Sequence, residues 1–426
     1  MIKVRTEPRS IHAYKDLISA DLYEKILVLA KGLRGLSVVH VNATNRGGGV
    51  AEILHSLVPI FNDLGIETSW YVIEAPENFF QVTKFLHNTL QGKRGCLTSS
   101  QKRIYLTQNQ EIARQMAKID GDIWVIHDPQ PLAVIKYLNG AIKPAVWRCH
   151  IDLSRPNKNV WQFLSQFVSC YDRFVFTLPD YIPDGLPKDK VFTSYPTTDP
   201  LGDKNKFMPQ SEAKKLISIF GIDTNRPLVT QVSRFDPWKD PLGVIESYRI
   251  AKKKIPKLQL ALVGEMASDD PEGAGIYKTA LQEAATDSDI YLLVLPHSNL
   301  VINAFQTGSE VIVQKSIREG FGLTVTEAMW KGKAVIGGNV GGIKMQIDDG
   351  KNGFLVDNPV GCAEKIVKLV RSQELAEKLG QEAKEKVARN FLLPHKIFKW
   401  LLIFHDLALE AQKQKVVRQQ ARSVFE

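Results

Sequence analysis

The chain has 426 residues and a net charge of +9, and its hydrophobic content of 44% and charged content of 24% are typical of a soluble globular protein. No apolar run is long enough to cross a membrane and no apolar region follows the N-terminus, so we expect a cytoplasmic protein without a membrane partner. The basic residues form no stripe interleaved with aromatic side chains, which disfavours nucleic-acid binding.

The first half of the chain alternates short apolar runs with helical patterns, which predicts a parallel sheet covered by helices. The predicted strands are Leu36–Val41, Thr68–Ile73, Asp122–Ile126, Ala145–Arg148 and Arg173–Thr177, and the predicted helices are Leu22–Leu33, Val50–Leu64 and Asn78–Leu90. Polar residues follow three of the strands, at Asn42, at His127 with Asp128, and at His150 with Asp152. Ligands of open α/β sheets bind outside the carboxyl ends of the strands, so these positions together indicate a site.

Three consecutive glycines, Gly47, Gly48 and Gly49, stand between the first predicted strand and its helix. They let the backbone approach a ligand and leave N–H groups for an anion or a sugar oxygen. The alternative is a flexible loop, which we disfavour because adjacent glycines cost chain entropy on folding. The run does not match G-x-G-x-x-G, which disfavours a dehydrogenase, and the lack of a Walker A pattern excludes a P-loop NTPase.

The segment Pro196–Pro209 is rich in Pro, Gly, Asp and Lys and marks a domain boundary. A second series of the same kind follows, with strands at Leu228–Val232, Leu258–Val263, Ile290–Leu295, Glu310–Val313, Lys333–Ile336 and Phe354–Val356. Helical patterns occupy Leu242–Lys252, Val360–Val370, Glu374–Ala388 and Pro394–Gln419. We expect an α/β protein of two doubly wound, Rossmann-like domains that face a cleft, with helices at the C-terminus. The predicted domains are residues 1–205 and 206–392, and a terminal helix, 393–426, is expected to return to the first domain.

The stretch from Gln314 to Gly332 combines a glycine turn with two glutamates, Glu319 and Glu327. It reads as strand, turn and helix. The N–H groups at the opening of the helix have no partners within the helix, and the helix dipole adds positive charge there, which suits a phosphate. Because Glu319 would repel a phosphate, it is expected to face a neutral, hydroxyl-rich group such as a sugar. The alternative is an ordinary turn with two acids near a helix start.

Arg234 and Lys239 are two cations just past one predicted strand. Arginine grips phosphate oxygens in a bidentate way, lysine acts as a mobile point charge, and each such hydrogen bond is worth roughly 1.5–3 kcal/mol. Together with the helix opening they could hold a pyrophosphate leaving group without a metal. The alternative, two surface cations on a loop, is weakened by the combination with the 314–332 stretch.

No cluster of metal ligands stands out in the sequence. The four cysteines are scattered without a C-x-x-C pair, so neither a zinc ribbon nor a disulfide framework is expected. Asp269 and Asp270 are adjacent, and adjacent carboxylates point apart more often than they chelate an ion. We therefore expect no required cofactor, with Mg²⁺ at most a stimulant.

The set Arg234, Lys239, Glu319–Gly322, Glu327 and Gly341–Gly342 resembles the retaining GT-B glycosyltransferases of family 4. Residues 40–54, 127–133, 147–154, 232–241 and 314–338 look like the trehalose glycosyltransferring synthases and also resemble the related trehalose phosphorylases. The resemblance implies transfer of glucose, with retention, from ADP-, UDP- or GDP-glucose to the anomeric hydroxyl of glucose. The product would be α,α-trehalose, the step would be reversible, and a homo-oligomer, a dimer, is expected.

The resemblance also implies roles for individual residues. Arg234 and Lys239 would bind the diphosphate, Glu319 hydroxyls of the donor sugar, Glu327 the nucleotide ribose, and His150 the transferred sugar. Further positions on the donor side are Gly264, Gly320, Phe321, Gly322, Leu323 and Thr324. Gly48 and Gly49 would lie near the diphosphate or the acceptor. Apart from the resemblance, we assign Asp152 as a candidate ligand of an acceptor hydroxyl, and Asn42 to the acceptor side.

Two alternatives remain at this point. A trehalose phosphorylase would use the same cations for inorganic phosphate, and a non-catalytic nucleotide-sugar binder would have no need of the Arg/Lys set and the two glutamates. We identify no carboxylate beneath the anomeric carbon for a double displacement, and the family is described with a same-face substitution instead. Thr307–Gly308, where a smooth step from helix to strand is expected, marks one departure from the family.

Overall fold

The structure is a computed structural model that describes residues 1–46, 49–138, 142, 144–264, 271–295 and 298–408. The chain divides into two compact units, one formed by Met1–Pro196 with the segment from Pro394 onward, the other by Thr197–Leu393. The domain limits predicted from the sequence stay predictions. None of the helices in the described ranges is long and apolar enough to span a membrane.

The first unit contains a seven-stranded sheet with the order β1-β3-β2-β4-β5-β6-β7. The strands are β1 (Ile2–Lys3), β2 (Ser37–Asn42), β3 (Glu67–Val72), β4 (Ile123–His127), β5 (Ala145–Arg148), β6 (Arg173–Phe176) and β7 (Val191–Thr193). β1 pairs antiparallel with β3, and the other pairs are parallel. The chain order reverses at β2, which lies between β3 and β4. The residues that follow β2 and β4 are therefore at a topological switch point, where α/β sheets bind ligands.

Helices flank this sheet, and the last helical segment of the chain belongs to the same unit. They are α1 (Ala20–Lys31), α2 (Gly49–Asp63), α3 (Glu77–Leu90), α4 (Ser99–Met116) and α5 (Lys158–Val168), with 3-10 turns at Ile11–Leu17, Leu132–Tyr137, Pro179–Tyr181 and Lys188–Lys190. Residues 393–408 are helical, and the rest of the predicted terminal helix lies outside the described residues. Trp400 packs edge-on against His40, and His405 Nε2 lies 2.8 Å from the carbonyl oxygen of Leu29.

The second unit contains a six-stranded sheet of parallel pairs with the order β10-β9-β8-β11-β12-β13. The strands are β8 (Leu228–Val232), β9 (Gln259–Gly264), β10 (Ile290–Val294), β11 (Val311–Gln314), β12 (Val335–Gly338) and β13 (Gly353–Val356). The helices are α6 (Gln210–Ser218), α7 (Pro241–Lys252), α8 (Pro271–Ala284), α9 (Asn299–Gly308), α10 (Leu323–Trp330), α11 (Ile343–Gln346), α12 (Pro359–Arg371) and α13 (Gln373–Asn390), with a 3-10 turn at Pro237–Lys239. The order reverses at β8, between β9 and β11, so the loops after β8 and β11 meet at a second switch point.

Candidate active site

An ion pair between Lys239 and Glu319 lies at the switch point of the second unit. Lys239 follows β8 and Glu319 follows β11, and Lys239 Nζ is 2.6 Å from Glu319 Oε2. The hydroxyl of Ser316 donates to the same carboxylate oxygen at 3.1 Å. The side chains of Lys239 and Glu319 are 19% and 10% exposed, so the pair is shielded from solvent without being sealed. Two residues that the sequence predicts for one site are thus in direct contact.

A second ion pair, between Lys315 and Asp240, supports the loop that carries Lys239. Lys315 is buried and its ammonium contacts Asp240 Oδ2. The other oxygen of Asp240 accepts a hydrogen bond from the Gly243 N–H at 3.1 Å and caps α7. Asp240 has a φ of 50°, in the left-handed region that asparagine and aspartate tolerate best among residues with a side chain. The backbone beside Lys239 is therefore fixed by a capped helix and by the β11 loop together.

Arg234, in the same loop, projects towards solvent. Its side chain is 57% exposed, and its only described ion pair is with Asp236 Oδ2 at 3.6 Å. Gly264 lies beside this loop at the end of β9, where an added Cβ would stand 1.8 Å from the carbonyl oxygen of Ser233. Glycine is required there for the strand end to pack against the loop. The structure thus gives Gly264 a packing role, and its predicted contact with the donor stays a prediction.

The glycine turn before α10 leaves the opening of that helix without a side-chain cap. Gly322, the N-cap residue, has a φ of 85°, a conformation that side chains disfavour. Gly341 packs so closely behind the turn that a Cβ would lie 1.8 Å from the carbonyl oxygen of Glu319. Phe321 is buried and meets Phe391 edge-on, so its ring belongs to the core. The backbone of the turn and the first N–H groups of α10 are what this segment offers an anion.

Glu327 lies one turn into α10 and is almost completely buried. Its Oε1 is 3.0 Å from Lys204 Nζ, and its Oε2 accepts from Gln306 Nε2 at 3.4 Å. Lys331 donates to the backbone carbonyl of Glu327 at 3.2 Å and to Gln306 Oε1 at 2.8 Å. Burial lowers the pKa of Lys331 to about 7. Glu327 is thus held by its neighbours within the unit, and its predicted contact with ribose stays a prediction.

Three histidines form a hydrogen-bonded chain in the first unit. His40 Nδ1 is 3.0 Å from His127 Nε2, and His127 Nδ1 is 3.0 Å from His150 Nε2. His40 and His127 are buried, and His150 is half-buried at the end of β5. Burial lowers the pKa of His40 to about 3 and the pKa values of His127 and His150 well below the usual range. All three imidazoles are therefore neutral near pH 7.

Asp128 and Arg148 fix the backbone around His150. Asp128 has a φ of 62°, and its Oδ1 accepts a hydrogen bond from the His150 N–H at 2.7 Å. Burial raises the pKa of the Asp128 carboxyl to about 6. The buried guanidinium of Arg148 donates to the carbonyl oxygens of Val175 and Ser194 at 3.1 and 2.8 Å. A strained residue held this firmly beside a strand end is typical of a functional site.

The residues predicted for the acceptor lie elsewhere around the same strand ends. The amide of Asn42 is used within the unit, since its Oδ1 accepts from Trp70 Nε1 and its Nδ2 donates to the Thr44 carbonyl, both at 2.7 Å. Asp152 Oδ1 accepts from the Ser154 N–H at 2.8 Å. Gly49 opens α2, and Gly48 lies outside the described residues. Asn42 positions its loop in this structure, and the acceptor contacts of all four residues stay predictions.

Comparison with known proteins identifies the family. Residues 40–183 match the family model described as trehalose synthase, N-terminal domain, and residues 212–386 match glycosyl transferases group 1. The chain is 47% identical over 406 residues to a trehalose synthase of Pyrococcus horikoshii, which covers 94% of this chain and 97% of that one. This chain belongs to the trehalose synthase family of glycosyltransferases. It is therefore an enzyme of trehalose-related glycosyl transfer.

More distant relatives of this glycosyltransferase include a trehalose phosphorylase and a trehalose-phosphate synthase of the same fold. The chain is 27% identical over 432 residues to a trehalose phosphorylase of Pleurotus pulmonarius and spans 58% of that longer protein. A UDP-forming α,α-trehalose-phosphate synthase of Burkholderia xenovorans has a solved structure that superposes with a TM-score of 0.69 at 16% identity, over 88% of this chain and 99% of that one. At this identity the likeness shows the fold alone. The predicted GT-B fold is confirmed.

Several residues that support the candidate site in this chain were not predicted from the sequence. Lys315, Asp240 and Lys204 pair with partners distant in sequence, which spacing alone does not indicate. His40 lies inside the apolar run that forms β2 and carries no motif of its own. Within the described residues no group of three or more His, Cys, Asp or Glu side chains could hold a metal ion. Asp269 and Asp270 lie outside the described residues, and stimulation by Mg²⁺ stays a prediction.

Proposed function

We propose that this glycosyltransferase forms α,α-trehalose from a nucleoside-diphosphate glucose and glucose, with retention, and that it also runs the reverse reaction. The trehalose synthase family supports the sugar product. The observation that carries the donor assignment is the pair Lys239–Glu319 beside the uncapped opening of α10. This arrangement puts a fixed cation, a carboxylate and backbone N–H groups around one space.

The pair explains how a carboxylate can serve a donor that carries a diphosphate. Glu319 alone would repel the diphosphate, but its charge is offset by Lys239 at 2.6 Å. An ammonium has three N–H donors, and the contact with Glu319 uses one of them, so two remain for phosphate oxygens. Glu319 is then an acceptor for sugar hydroxyls. The exposed guanidinium of Arg234 adds the bidentate grip that a lysine lacks.

The proposed step breaks the bond between the anomeric carbon and the diphosphate oxygen. A bond from the anomeric oxygen of the acceptor glucose forms on the same face, and the proton of that hydroxyl passes to the leaving diphosphate. Cations and helix N–H groups placed where negative charge develops stabilise such a transition state most. The reverse step uses the same contacts, because the nucleoside diphosphate is then the nucleophile. ADP, UDP or GDP as the nucleotide, the cytoplasmic location and the dimer stay predictions.

A second candidate is a trehalose phosphorylase, because such enzymes are among the relatives of this chain. Arg234, Lys239 and the opening of α10 would hold inorganic phosphate in the place of the diphosphate. This candidate has less support, since the trehalose synthase relative matches at 47% identity and the phosphorylase at 27%. The two functions differ in the nucleophile that cleaves trehalose.

The test is a donor and acceptor screen with product analysis. The full chain is incubated with glucose and with ADP-, UDP- or GDP-glucose in turn, and the disaccharide is identified by the single α anomeric doublet that its two equivalent glucose rings give in the NMR spectrum. We expect α,α-trehalose with at least one donor and none with glucose 1-phosphate. Trehalose from glucose 1-phosphate alone would favour the phosphorylase, and binding of a nucleotide sugar without any turnover would favour a non-catalytic binder.

A further inference from the structure

The histidine chain His40–His127–His150 permits only two arrangements of its protons. Each neutral imidazole carries one N–H, and each of the two contacts at 3.0 Å needs one donor and one acceptor. In the first arrangement all three residues carry the proton on Nδ1, and His40 donates to His127, which donates to His150. In the second all three carry it on Nε2, and the direction of donation is reversed. The three histidines therefore change tautomer together.

The buried end of the chain decides between these arrangements. His40 Nε2 is fully buried and has no hydrogen-bond partner among the residues that the structure describes. In the second arrangement this nitrogen carries an unpaired N–H, whereas in the first it carries an unpaired lone pair. Among backbone groups, buried N–H groups without a partner are rarer than under-satisfied acceptors, and we extend that preference to this ring nitrogen. The ring of Trp400, 6.0 Å away and edge-to-face, is at best a weak acceptor for an N–H. The first arrangement is favoured.

Burial keeps the histidine chain neutral, so the two arrangements are not replaced by an imidazolium. Desolvation is the main cause that lowers the pKa of all three histidines, and the nearby side chains of Arg148 and Lys396 add to it for His127 and His150. Asp128, the acid that faces His150, accepts its hydrogen bond from the backbone N–H of His150. The ring nitrogen that is left over, His150 Nδ1, has no hydrogen-bond partner among the described residues. It belongs to a half-buried side chain at the carboxyl end of β5.

We propose that His127, which accepts a hydrogen bond from His40, is a positioning residue that holds His150 as its Nδ1–H tautomer, so that His150 offers an N–H donor to an oxygen of the transferred sugar. The contact with sugar rests on the proposed function, whereas the tautomer follows from the first unit alone. A donor suits this place because a sugar hydroxyl that accepts from His150 still has its own proton for a carboxylate. No proton is transferred. The fixed tautomer favours a hydroxyl and disfavours an analogue that lacks it, because the N–H would then be left unpaired.

The tautomer is read directly by NMR on the full chain with ¹⁵N-labelled histidine and no substrate. Two-bond ¹⁵N–¹H correlations separate an Nδ1–H ring from an Nε2–H ring. We expect the Nδ1–H pattern for His40, His127 and His150 near pH 7. The Nε2–H pattern for His150, or rapid exchange between the two, would overturn the proposal whatever the enzyme's activity.

Variants separate positioning from packing. His127→Phe keeps a ring of similar size but removes the donor to His150, so His150 should exchange between tautomers and kcat should fall about tenfold, the effect of one neutral hydrogen bond. His40→Phe leaves only an unpaired lone pair on His127 and should keep the Nδ1–H pattern of His150. His405→Phe, in the last helical segment, is the control for loss of a histidine and should leave both readouts unchanged. An unaltered His150 pattern in His127→Phe would contradict the proposal.

Substitution of His150 itself tests which nitrogen meets the sugar. His150→Asn places an amide near the position of Nδ1, and His150→Gln places it near Nε2. Asparagine should therefore retain several-fold more activity than glutamine, and the opposite order would contradict the donor role of Nδ1. If the wild-type chain makes no trehalose from any donor, the proposed function fails, while the NMR pattern still decides the tautomer.

Discussion

At the scale of single residues, the proposed function gives Lys239 and Glu319 opposite effects on a diphosphate, and the structure holds the two side chains in one ion pair. In the proposed function the carboxylate needs the ammonium in order to lie beside phosphate. The ammonium is held by the Glu319 carboxylate, which also accepts a hydrogen bond from the Ser316 hydroxyl. Arg234 has a longer ion pair, 3.6 Å to Asp236 Oδ2, and its side chain is exposed. We infer that Lys239 is preorganised for the leaving group and that Arg234 closes on it when the donor binds.

Loss of either cation should slow the reaction strongly. We expect Lys239→Ala and Arg234→Ala each to lower kcat by about two to three decades, as removal of one charge-stabilising donor typically does. Initial rates of trehalose formation at saturating donor measure this. Arg249→Ala is the matched control, because Arg249 is a surface cation of the same unit that pairs with Glu283 at 2.7 Å. Near-normal turnover in both site variants would contradict the assigned roles.

Asp128 should make the stability of the first unit depend on pH. Its pKa is raised to about 6, so between about pH 4 and 6 the folded state holds a proton that the unfolded state has released. Stability from this group is therefore present at low pH and is lost as pH rises through 6. The isosteric variant Asp128→Asn stays neutral, still accepts from the His150 N–H and tolerates a positive φ.

Urea denaturation of the wild type and Asp128→Asn at about pH 4.5 and pH 7 measures this effect. The variant should gain free energy of unfolding relative to the wild type between the two values, on the order of 3 kcal/mol at most. The exposed pair Asp21–Lys25 in the same unit offers a control, since Asp21→Asn should show no such change. Equal pH dependence of the wild type and Asp128→Asn would show that the pKa of Asp128 is not raised in the folded protein.

The sequence predicts that Lys239 and Glu319 share a site, and the structure brings them into contact, but the sequence does not predict the residues that support them. Lys239 and Glu319 were predicted together because a helix opening, a glycine turn and two cations have a joint chemical meaning. Lys315 was missed because its partner, Asp240, lies 75 positions away and no spacing rule links them. His40 was missed because its neighbours in β2 are apolar and one polar residue in a strand gives no signal. Tertiary contacts alone reveal such partners.

At the scale of elements, buried parallel strands were predicted well and polar helices were not. Leu228–Val232 and Ala145–Arg148 match β8 and β5 residue for residue, since a short run of apolar residues between turns identifies a buried strand. α4 was missed because its sequence is mostly polar and shows only a weak apolar stripe, although Thr98 and Gln101 form a capping box at its start. β1 is two residues long and forms only by pairing with β3.

The role of the turn before α10 in donor binding can be tested by substituting two glycines that both have a positive φ. Gly322 and Gly350 have φ values of 85° and 75°, so an alanine at either should cost about 1–2 kcal/mol of stability. A Cβ at Gly322 would also lie 3.2 Å from the Glu319 side chain, whereas a Cβ at Gly350 would have no described atom within 4 Å. We expect similar destabilisation in both variants and a raised donor KM in Gly322→Ala alone.

Urea denaturation and donor titration of Gly322→Ala and Gly350→Ala separate the two effects. A raised donor KM in both variants would mean that lost stability, and not the position of Glu319, weakens binding. An unchanged KM in both would remove the turn from the donor site.

At the scale of the whole molecule, both units have their predicted site residues at a reversal of strand order. Each sheet reverses its strand order at one strand, β2 in the first and β8 in the second, and the predicted site residues follow the strands at those points. The terminal segment after residue 393 belongs to the first unit, so the chain leaves the second unit and returns. The sequence predicted two such sheets because the strand pattern occurs twice, but it carries no rule for which strand lies at a reversal.

The reverse reaction depends on the whole enzyme, because the enzyme as a whole determines which nucleophile cleaves trehalose. A synthase cleaves trehalose with a nucleoside diphosphate, and a phosphorylase cleaves it with inorganic phosphate. Both would use Lys239, Arg234 and the opening of α10, so no single substitution separates them. The nature of the phosphorus-containing product does.

The most direct measurement is therefore ³¹P NMR of the full chain with trehalose and an equimolar mixture of ADP, UDP, GDP and inorganic phosphate. We predict that at least one nucleoside diphosphate is converted to its glucose ester while phosphate is left unchanged, and that Lys239→Ala abolishes the conversion. Formation of glucose 1-phosphate with no nucleotide sugar would contradict the account.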